Sequence, residues 1–330
     1  MLLDITFLVA GLVLIFKGGE LFVSAAVRVA EMLRMPRVVI GGTLVSLVTT
    51  SPEMVVSIMA GLKGESGLAV GNAVGSCICN IGLVLGVTAA IKHVDVHPQA
   101  LRSPLIGMFF FGVVLLLMTL DLVLQRWQGV MLLLGGAAYF AWDFWQDWHN
   151  KKPSEVAEAT AIAKEAVATR WAWFQTKPGT AVQFLIGAAI VIIGSKLLVD
   201  SAVNIAHVLG VPSIIVGLTV LAVGTSFPEL VTAITSSRKN VSDIAVGNVV
   251  GANIANLTVV IGAAASIREV TMDRLTQLFN FPAMLVSMLL MLWMLKTGKR
   301  VTRREGAILL VFYGVYLGAV VVLTVWQKNE

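Results

Sequence analysis

The chain has 330 residues, of which 57% are apolar and only 13% are charged, and its mean hydropathy is +0.88. Because soluble domains are roughly 25% charged, this composition excludes soluble enzymes, nucleic-acid-binding proteins and secreted disulfide scaffolds. The net charge of +5 does not indicate a nucleic-acid partner, since Lys and Arg in membrane proteins mainly set orientation. The sequence therefore predicts an all-α polytopic membrane protein.

Ten apolar stretches, bounded by charged residues or by Gly and Pro, predict ten transmembrane helices, spans 1 to 10. In chain order the spans cover residues 4–33, 36–61, 66–91, 103–121, 126–147, 179–207, 211–237, 242–266, 275–296 and 304–327. One long polar segment, the central loop at 148–178, separates a first half at 1–147 from a second half at 179–330. Each half then holds five spans, and both termini lie on one side of the membrane.

The basic residues give this topology a direction. Of the 24 Lys and Arg residues, 17 fall on the side of the central loop and 5 on the side of the termini. By the positive-inside rule, the central loop is cytoplasmic and both termini lie outside. The two remaining basic residues, Lys17 and Lys196, lie inside spans 1 and 6. Their spacing predicts neutralising pairs with Glu20 and Asp200.

An internal repeat relates the two halves at an offset of 176 residues. Pro36–Ile81 aligns without a gap onto Pro212–Leu257, with 18 of 46 positions identical. Because each copy lies in a half with an odd number of spans, the second copy enters the membrane from the opposite face. Inverted repeats of this kind are typical of secondary transporters, and the sequence favours a transporter over a channel.

Each copy of the repeat carries one carboxylate in the middle of a span, Glu53 and Glu229. A carboxylate near the bilayer centre costs at least ~2.5 kcal/mol, so each one needs a partner or an aqueous cavity. Proline precedes both glutamates, and it breaks the helix and frees backbone carbonyls. Carboxylates, hydroxyls and free carbonyls together predict a site for a hard cation such as calcium or sodium.

The repeat also contains a stretch of small and amide residues, Gly71–Asn80, whose second copy is Gly247–Asn256. Ser76 and Asn80 are four residues apart, so their oxygens lie on one helical face. Asn80 and Asn256 are costly in lipid without partners, which favours a position beside the cavity. Cys77 and Cys79 are interpreted as small buried side chains, because a zinc site needs more ligands.

These blocks resemble the two alpha-repeats of the sodium/calcium exchanger family, within the cation/calcium exchanger superfamily, and the bacterial inner-membrane branch is the most similar. The resemblance implies ten helices in two inverted repeats, with helices 2, 3, 7 and 8 broken around a cation site at the membrane midplane. It also implies an antiporter that exchanges calcium for sodium by alternating access. Carried over by position, the implied ligands are the carboxylates of Glu53 and Glu229, the carbonyls of Thr49 and Thr225, the hydroxyls of Thr50, Ser226 and Ser76, and the amides of Asn80 and Asn256.

Two positions depart from the family pattern. Asn256 stands where many exchangers have Asp, and Ala252 stands where they have Ser. Proton coupling therefore stays open as an alternative, as does a calcium-selective channel or leak pathway. An enzyme is not expected, because no motif pairs a Glu with His or a Ser with a base. The expected partners are the lipid bilayer and the transported ions, with no cofactor, nucleic acid or obligate protein partner.

Overall fold

A computed structural model describes residues 2–32, 45–95, 98–150, 176–238, 242–298 and 300–328. Residues 33–44 and most of the central loop lie outside this part. The described helices are α1 Leu2–Met32, α2 Val45–Thr49, α3 Ser51–Lys63, α4 Ser66–Ile91, α5 Pro98–Met118, α6 Arg126–Asn150, α7 Lys177–Leu209, α8 213–225, α9 Phe227–Arg238, α10 242–267, α11 276–298 and α12 Arg303–Lys328. The described strands are β1 Val94–Asp95, β2 Val123–Leu124, β3 Val270–Thr271 and β4 Arg300–Val301.

The molecule is a multi-span membrane protein. Seven of the described helical stretches are long and apolar enough to cross a bilayer, and α5 contains a shorter apolar stretch, Ser103–Met118. Large apolar side chains such as Leu134, Leu185 and Val315 remain about two-thirds exposed on the helix surfaces, which suits contact with lipid. The two inner helices are α4 and α10, whose apolar windows are 78% and 72% buried, against 28% for α12.

Helices α1 and α7 pack along each other through glycines. A Cβ atom at Gly11 would lie 2.9 Å from the Gly194 carbonyl oxygen, and one at Gly187 would lie 3.0 Å from the Gly18 carbonyl oxygen. Early residues of α1 therefore meet late residues of α7, so the two helices are antiparallel. Gly11 and Gly187 are 176 residues apart, as are Gly18 and Gly194. Equivalent helices that run in opposite directions are what an inverted repeat requires.

The connections between helices meet in two separate groups. At one end, β1 pairs with β4 and the Lys92 ammonium lies 3.5 Å from the Arg238 carbonyl oxygen. At the other end, β2 pairs with β3 and the Ser66 hydroxyl donates to the Glu269 carbonyl. The offset of 176 carries β1 onto β3, and therefore from one group to the other. Both the grouping and this exchange agree with the expected topology of ten spans.

One of the two expected intramembrane ion pairs forms and the other is replaced. The Lys17 ammonium lies 3.0 Å from the Glu20 carboxylate, as the spacing predicts. The expected pair between Lys196 and Asp200 is wrong, because the Asp200 carboxylate pairs with Lys63 instead. Helix α3 packs against α7 and presents Lys63 at its last residue. A contact between distant helices has displaced a local one.

Candidate cation site

The expected breaks in helices 2 and 7 are confirmed. Helix α2 ends at Thr49 and α3 begins at Ser51, while α8 ends at residue 225 and α9 begins at Phe227. The residues at the two breaks have nearly the same backbone geometry, with φ −79° and ψ 0° at Thr50 and φ −80° and ψ 7° at Ser226. Proline stands in the first turn after each break and has no N–H to donate. The carbonyl four residues before each proline therefore loses its usual helical donor.

Helices 3 and 8 need a correction, since neither is interrupted. Helix α4 stays helical through a wider π-helical segment at Asn80–Leu85, and α10 does so at Asn256–Val260. Neither helix contains a proline, so nothing removes a backbone donor there. Each π segment begins at one of the expected site asparagines. Such segments often mark functional positions inside α-helices.

The two carboxylates occupy equivalent and deeply buried positions. Glu53 and Glu229 each lie in the first turn of the helix that follows a break, with 1% and 0% of their surface exposed. The positive end of a helix dipole favours negative charge there. The hydroxyl of Ser226 lies 3.4 Å from Glu53 Oε1, a contact that joins the two halves. Glu53 Oε2 and both Glu229 oxygens have no hydrogen-bond partner within the described chain.

The expected amides and one expected hydroxyl share this property. Ser76, Asn80 and Asn256 are fully buried, and each has an oxygen without a partner in the described ranges. The π segment that begins at Asn80 packs against α9, the helix of Glu229. The π segment that begins at Asn256 packs against α3, the helix of Glu53. Each asparagine thus belongs to a segment that packs on the carboxylate helix of the other half.

The expected threonines connect the broken helices to the inner helices. The Thr49 hydroxyl donates to Asn248 Oδ1 at 3.3 Å, and the Thr225 hydroxyl donates to Asn72 Oδ1 at 3.2 Å. The offset of 176 turns the first contact into the second. The Thr50 hydroxyl instead donates to the Ser46 carbonyl within its own helix, at 2.7 Å. All of the expected site residues are therefore brought to the region around the two breaks.

Sequence analysis missed three asparagines that support this region, Asn72, Asn248 and Asn253. The amide nitrogen of Asn72 donates to the Glu53 carbonyl at 3.1 Å and to the Ser57 hydroxyl at 3.0 Å. Asn253 contacts Asn80. A signal was present for all three, because a buried amide in a span is costly without partners. Asn72 and Asn248 also recur at the repeat offset.

The donors at this site suit a hard cation. The unpartnered atoms belong to carboxylates, a hydroxyl and amides, and calcium prefers six to eight such oxygens. In the described residues no group of three or more His, Cys, Asp or Glu side chains could hold a metal ion. A site of nitrogen and sulfur ligands for a transition metal is therefore absent from that part of the chain.

A family model described as "Sodium/calcium exchanger protein" matches residues 3–145 and 179–322. The chain belongs to the sodium/calcium exchanger family. Inner membrane protein YrbG of Escherichia coli (strain K12) is 35% identical, over 87% of this chain and 86% of that protein. Sodium/calcium exchanger MaX1 of Methanosarcina acetivorans is 29% identical, over 94% of this chain and 96% of that protein. Among solved structures, the sodium-calcium exchanger NCX_Mj aligns with a TM-score of 0.65 and 27% identity, covering 96% of this chain and 98% of that one.

In this member of the exchanger family the two halves of the site are not identical. Ser76 of the first half corresponds to Ala252 of the second, and Cys77 corresponds to Asn253. The first half therefore has a hydroxyl that the second lacks, and the second has an amide that the first lacks. All four residues are fully buried, so both differences lie inside the protein.

Proposed function

We propose that this chain is a secondary active antiporter that exchanges calcium for sodium across the membrane by alternating access. The observation that carries the proposal is the pair of buried carboxylates, Glu53 and Glu229, at equivalent breaks in the two halves. Neither has a Lys, Arg or His partner among the described residues. Two buried negative charges without a counter-ion are strongly unfavourable, and a bound cation supplies the missing charge.

The proposed ligands surround this pair. Two glutamates neutralise one calcium ion or two sodium ions, so one site accepts either cargo but not both in full. We assign coordination of the transported ions to Glu53, Glu229, Thr49, Thr225, Thr50, Ser226, Ser76, Asn80 and Asn256. The support is their burial together with the unpartnered oxygens on five of these side chains.

The proposed architecture is ten spans in two inverted halves, at 1–147 and 179–330, joined by a cytoplasmic loop at 148–178. The two repeats at 36–81 and 212–257 then form the centre of the protein. Antiparallel packing of α1 on α7 and the two groups of connections support the inversion. The excess of 17 basic residues over 5 supports termini outside the cell. A relative is named as an inner membrane protein, which supports that location.

The proposed motion carries α1 and α7 as one unit across the rest of the protein. The two helices approach each other at backbone distance through glycines, so they are held together more closely than a pair separated by large side chains. Their apolar windows are only 28% and 39% buried, which leaves much of their surface facing lipid. A unit that slides in this way exposes the site to each side of the membrane in turn.

A proton-coupled antiporter is the second candidate, and two residues favour it. Asn256 and Ala252 provide less charge and one hydroxyl fewer than a second half with Asp and Ser would. Sodium then has fewer ligands, while the two glutamates can still carry protons.

Uptake of calcium-45 into inside-out vesicles separates the candidates. The vesicles are loaded so that uptake is driven by a sodium gradient alone, by a pH gradient alone, or by neither. We expect uptake with the sodium gradient. Uptake with the pH gradient alone would replace sodium by protons, and equal uptake without any gradient would indicate a channel or leak.

A further inference from the structure

Asn253 has every polar group of its side chain in use, although it is fully buried. Its amide nitrogen donates to the Cys77 carbonyl oxygen at 3.3 Å and contacts Met108 Sδ at 3.5 Å. Its amide oxygen accepts a hydrogen bond from Asn80 Nδ2 at 3.1 Å. This side chain therefore joins α10, α4 and α5 at the level of the site.

The direction of these hydrogen bonds is fixed by the Cys77 carbonyl, because a backbone carbonyl can only accept. The nitrogen of the Asn253 amide must face that carbonyl, so its oxygen must face Asn80. Asn80 then has to present its own nitrogen to Asn253. The Asn80 oxygen is left without a partner inside the described chain, and it is held in that orientation.

The second half has no such device, since Cys77 is the residue equivalent to Asn253. The Cys77 thiol lies 3.7 Å from the Asn253 carbonyl oxygen and donates to it. Sulfur is a weak acceptor, so Cys77 offers little to the amide of Asn256. Both amide atoms of Asn256 lack a partner among the described residues, and nothing there selects which one faces the cation.

We propose that Asn253 is a positioning residue that holds the Asn80 amide with its oxygen free for the transported cation, which makes Asn80 a stronger ligand than Asn256. The proposal rests on the proposed antiport function. An amide that must turn before it binds loses affinity to that reorganisation, whereas an amide that is already oriented does not. The two halves of one cavity thus contribute unequally to calcium affinity.

Exchanging the two residues tests the proposal. Calcium-45 uptake driven by sodium is measured as KM and maximum rate in wild type, in Asn253→Cys, and in the double variant Asn253→Cys/Cys77→Asn. Asn253→Cys should raise KM about five- to tenfold, the scale of one hydrogen bond, with the maximum rate within about twofold. Asn204→Cys, an exposed asparagine outside the site, is the matched control and should leave KM unchanged.

The double variant keeps both side chains and moves the oriented amide to the other half. Asn80→Ala should raise KM more than Asn256→Ala in the wild-type background, and the order should reverse in the double-variant background. A purely structural role for Asn253 would lower the melting temperature without reversing that order. An unchanged order, or an unchanged KM in Asn253→Cys, would overturn this inference alone. A wild type that neither binds nor transports calcium would overturn the proposed function and this inference together.

Discussion

The two halves of the site differ in a way that separates what the fold requires from what it leaves free. Both halves keep the proline, the glutamate and the first asparagine of the small-residue segment at an offset of 176 residues. They diverge at two adjacent positions, where Ser76 and Cys77 face Ala252 and Asn253. The retained residues break the helices and supply the charge, and each half needs its own copy. The divergent residues tune the site, and one copy can serve both halves.

Asn253 shows why one copy is enough. It belongs to the second half, yet its side chain contacts Cys77 and Asn80 of the first half. The hydroxyl of Ser226 likewise reaches Glu53 across the same boundary. Close to the boundary between the repeats, a side chain of one half is as near to the other half as to its own. Selection on such a residue acts once, so its equivalent position is free to change.

The largest expected effect concerns the retained charge. Glu53→Gln and Glu229→Gln should each lower sodium-driven calcium uptake about 100-fold or more, because removing one member of a buried charge pair costs several kcal/mol. The two variants should fail equally, since the halves are equivalent at this position. Calcium-45 uptake into vesicles with matched protein levels measures the effect. Glu269→Gln changes an exposed carboxylate and should retain full uptake; near wild-type uptake in either site variant would refute the assignment.

Much of this comparison could be predicted from the sequence. Glu53, Glu229 and the prolines before them are costly in lipid and recur in both halves, so composition and repetition reveal them together. The antiparallel arrangement follows from the odd number of spans per half. The π segments could not be predicted, because they preserve the apolar pattern of an ordinary helix.

Contacts across the halves were also hidden from the sequence. Thr49 and Asn248 are separated by 199 residues, and Asn80 and Asn253 by 173. Periodicity within one helix identifies which residues share a face, but it does not show which helix that face meets. The ion pair between Lys63 and Asp200 was missed for the same reason.

The second expected effect sharpens the comparison between the two membrane faces. The Lys63–Asp200 pair ties α3 to α7 at one end, and the position equivalent to Asp200 in the first half is Ser24. Joining Lys63→Cys to Asp200→Cys with a short bifunctional thiol reagent should stop exchange while calcium binding persists, because α7 can no longer move past α3. Exchange and binding are measured on the same cross-linked preparation.

The matched control for this experiment links α1 to α7 within the proposed moving unit. The Asn204 amide donates to the Asp4 carboxylate at 3.2 Å, so Asp4→Cys and Asn204→Cys can be joined by the same reagent. This link should leave exchange intact, since both helices move together. Exchange that persists with α3 tied to α7, or that stops with α1 tied to α7, would contradict the sliding unit.

A smaller effect is expected where the second half lacks charge. Asn256→Asp adds one negative charge or one protonatable group to the cavity, so the coupling ratio or its pH dependence should change. In wild type, two glutamates neutralise two sodium ions but not three, and exchange should run closer to electroneutral. Reversal potentials of reconstituted wild type and variant measure the ratio. A wild-type ratio of three sodium ions per calcium, unaltered by the substitution, is the opposing result.

The smallest effect concerns the stability contributed by the ion pair at one face. Asp200→Asn should lower the free energy of unfolding by less than about 1 kcal/mol, because exposed pairs are screened by solvent and the Asp200 side chain is 48% exposed. Melting temperatures in detergent for Asp200→Asn, Lys63→Met and the double variant measure the pair. A double variant as stable as either single variant shows that the two side chains act together, and additive losses would show that they do not.

Direct binding tests the central claim, that the two buried carboxylates form one site for calcium or sodium. Equilibrium dialysis of the purified protein with calcium-45 should give one calcium per chain, displaced as sodium concentration rises. Glu53→Gln and Glu229→Gln should each abolish this binding while the protein stays folded. One calcium per chain that sodium does not displace, or that survives both substitutions, would place the ion elsewhere and contradict the assignment.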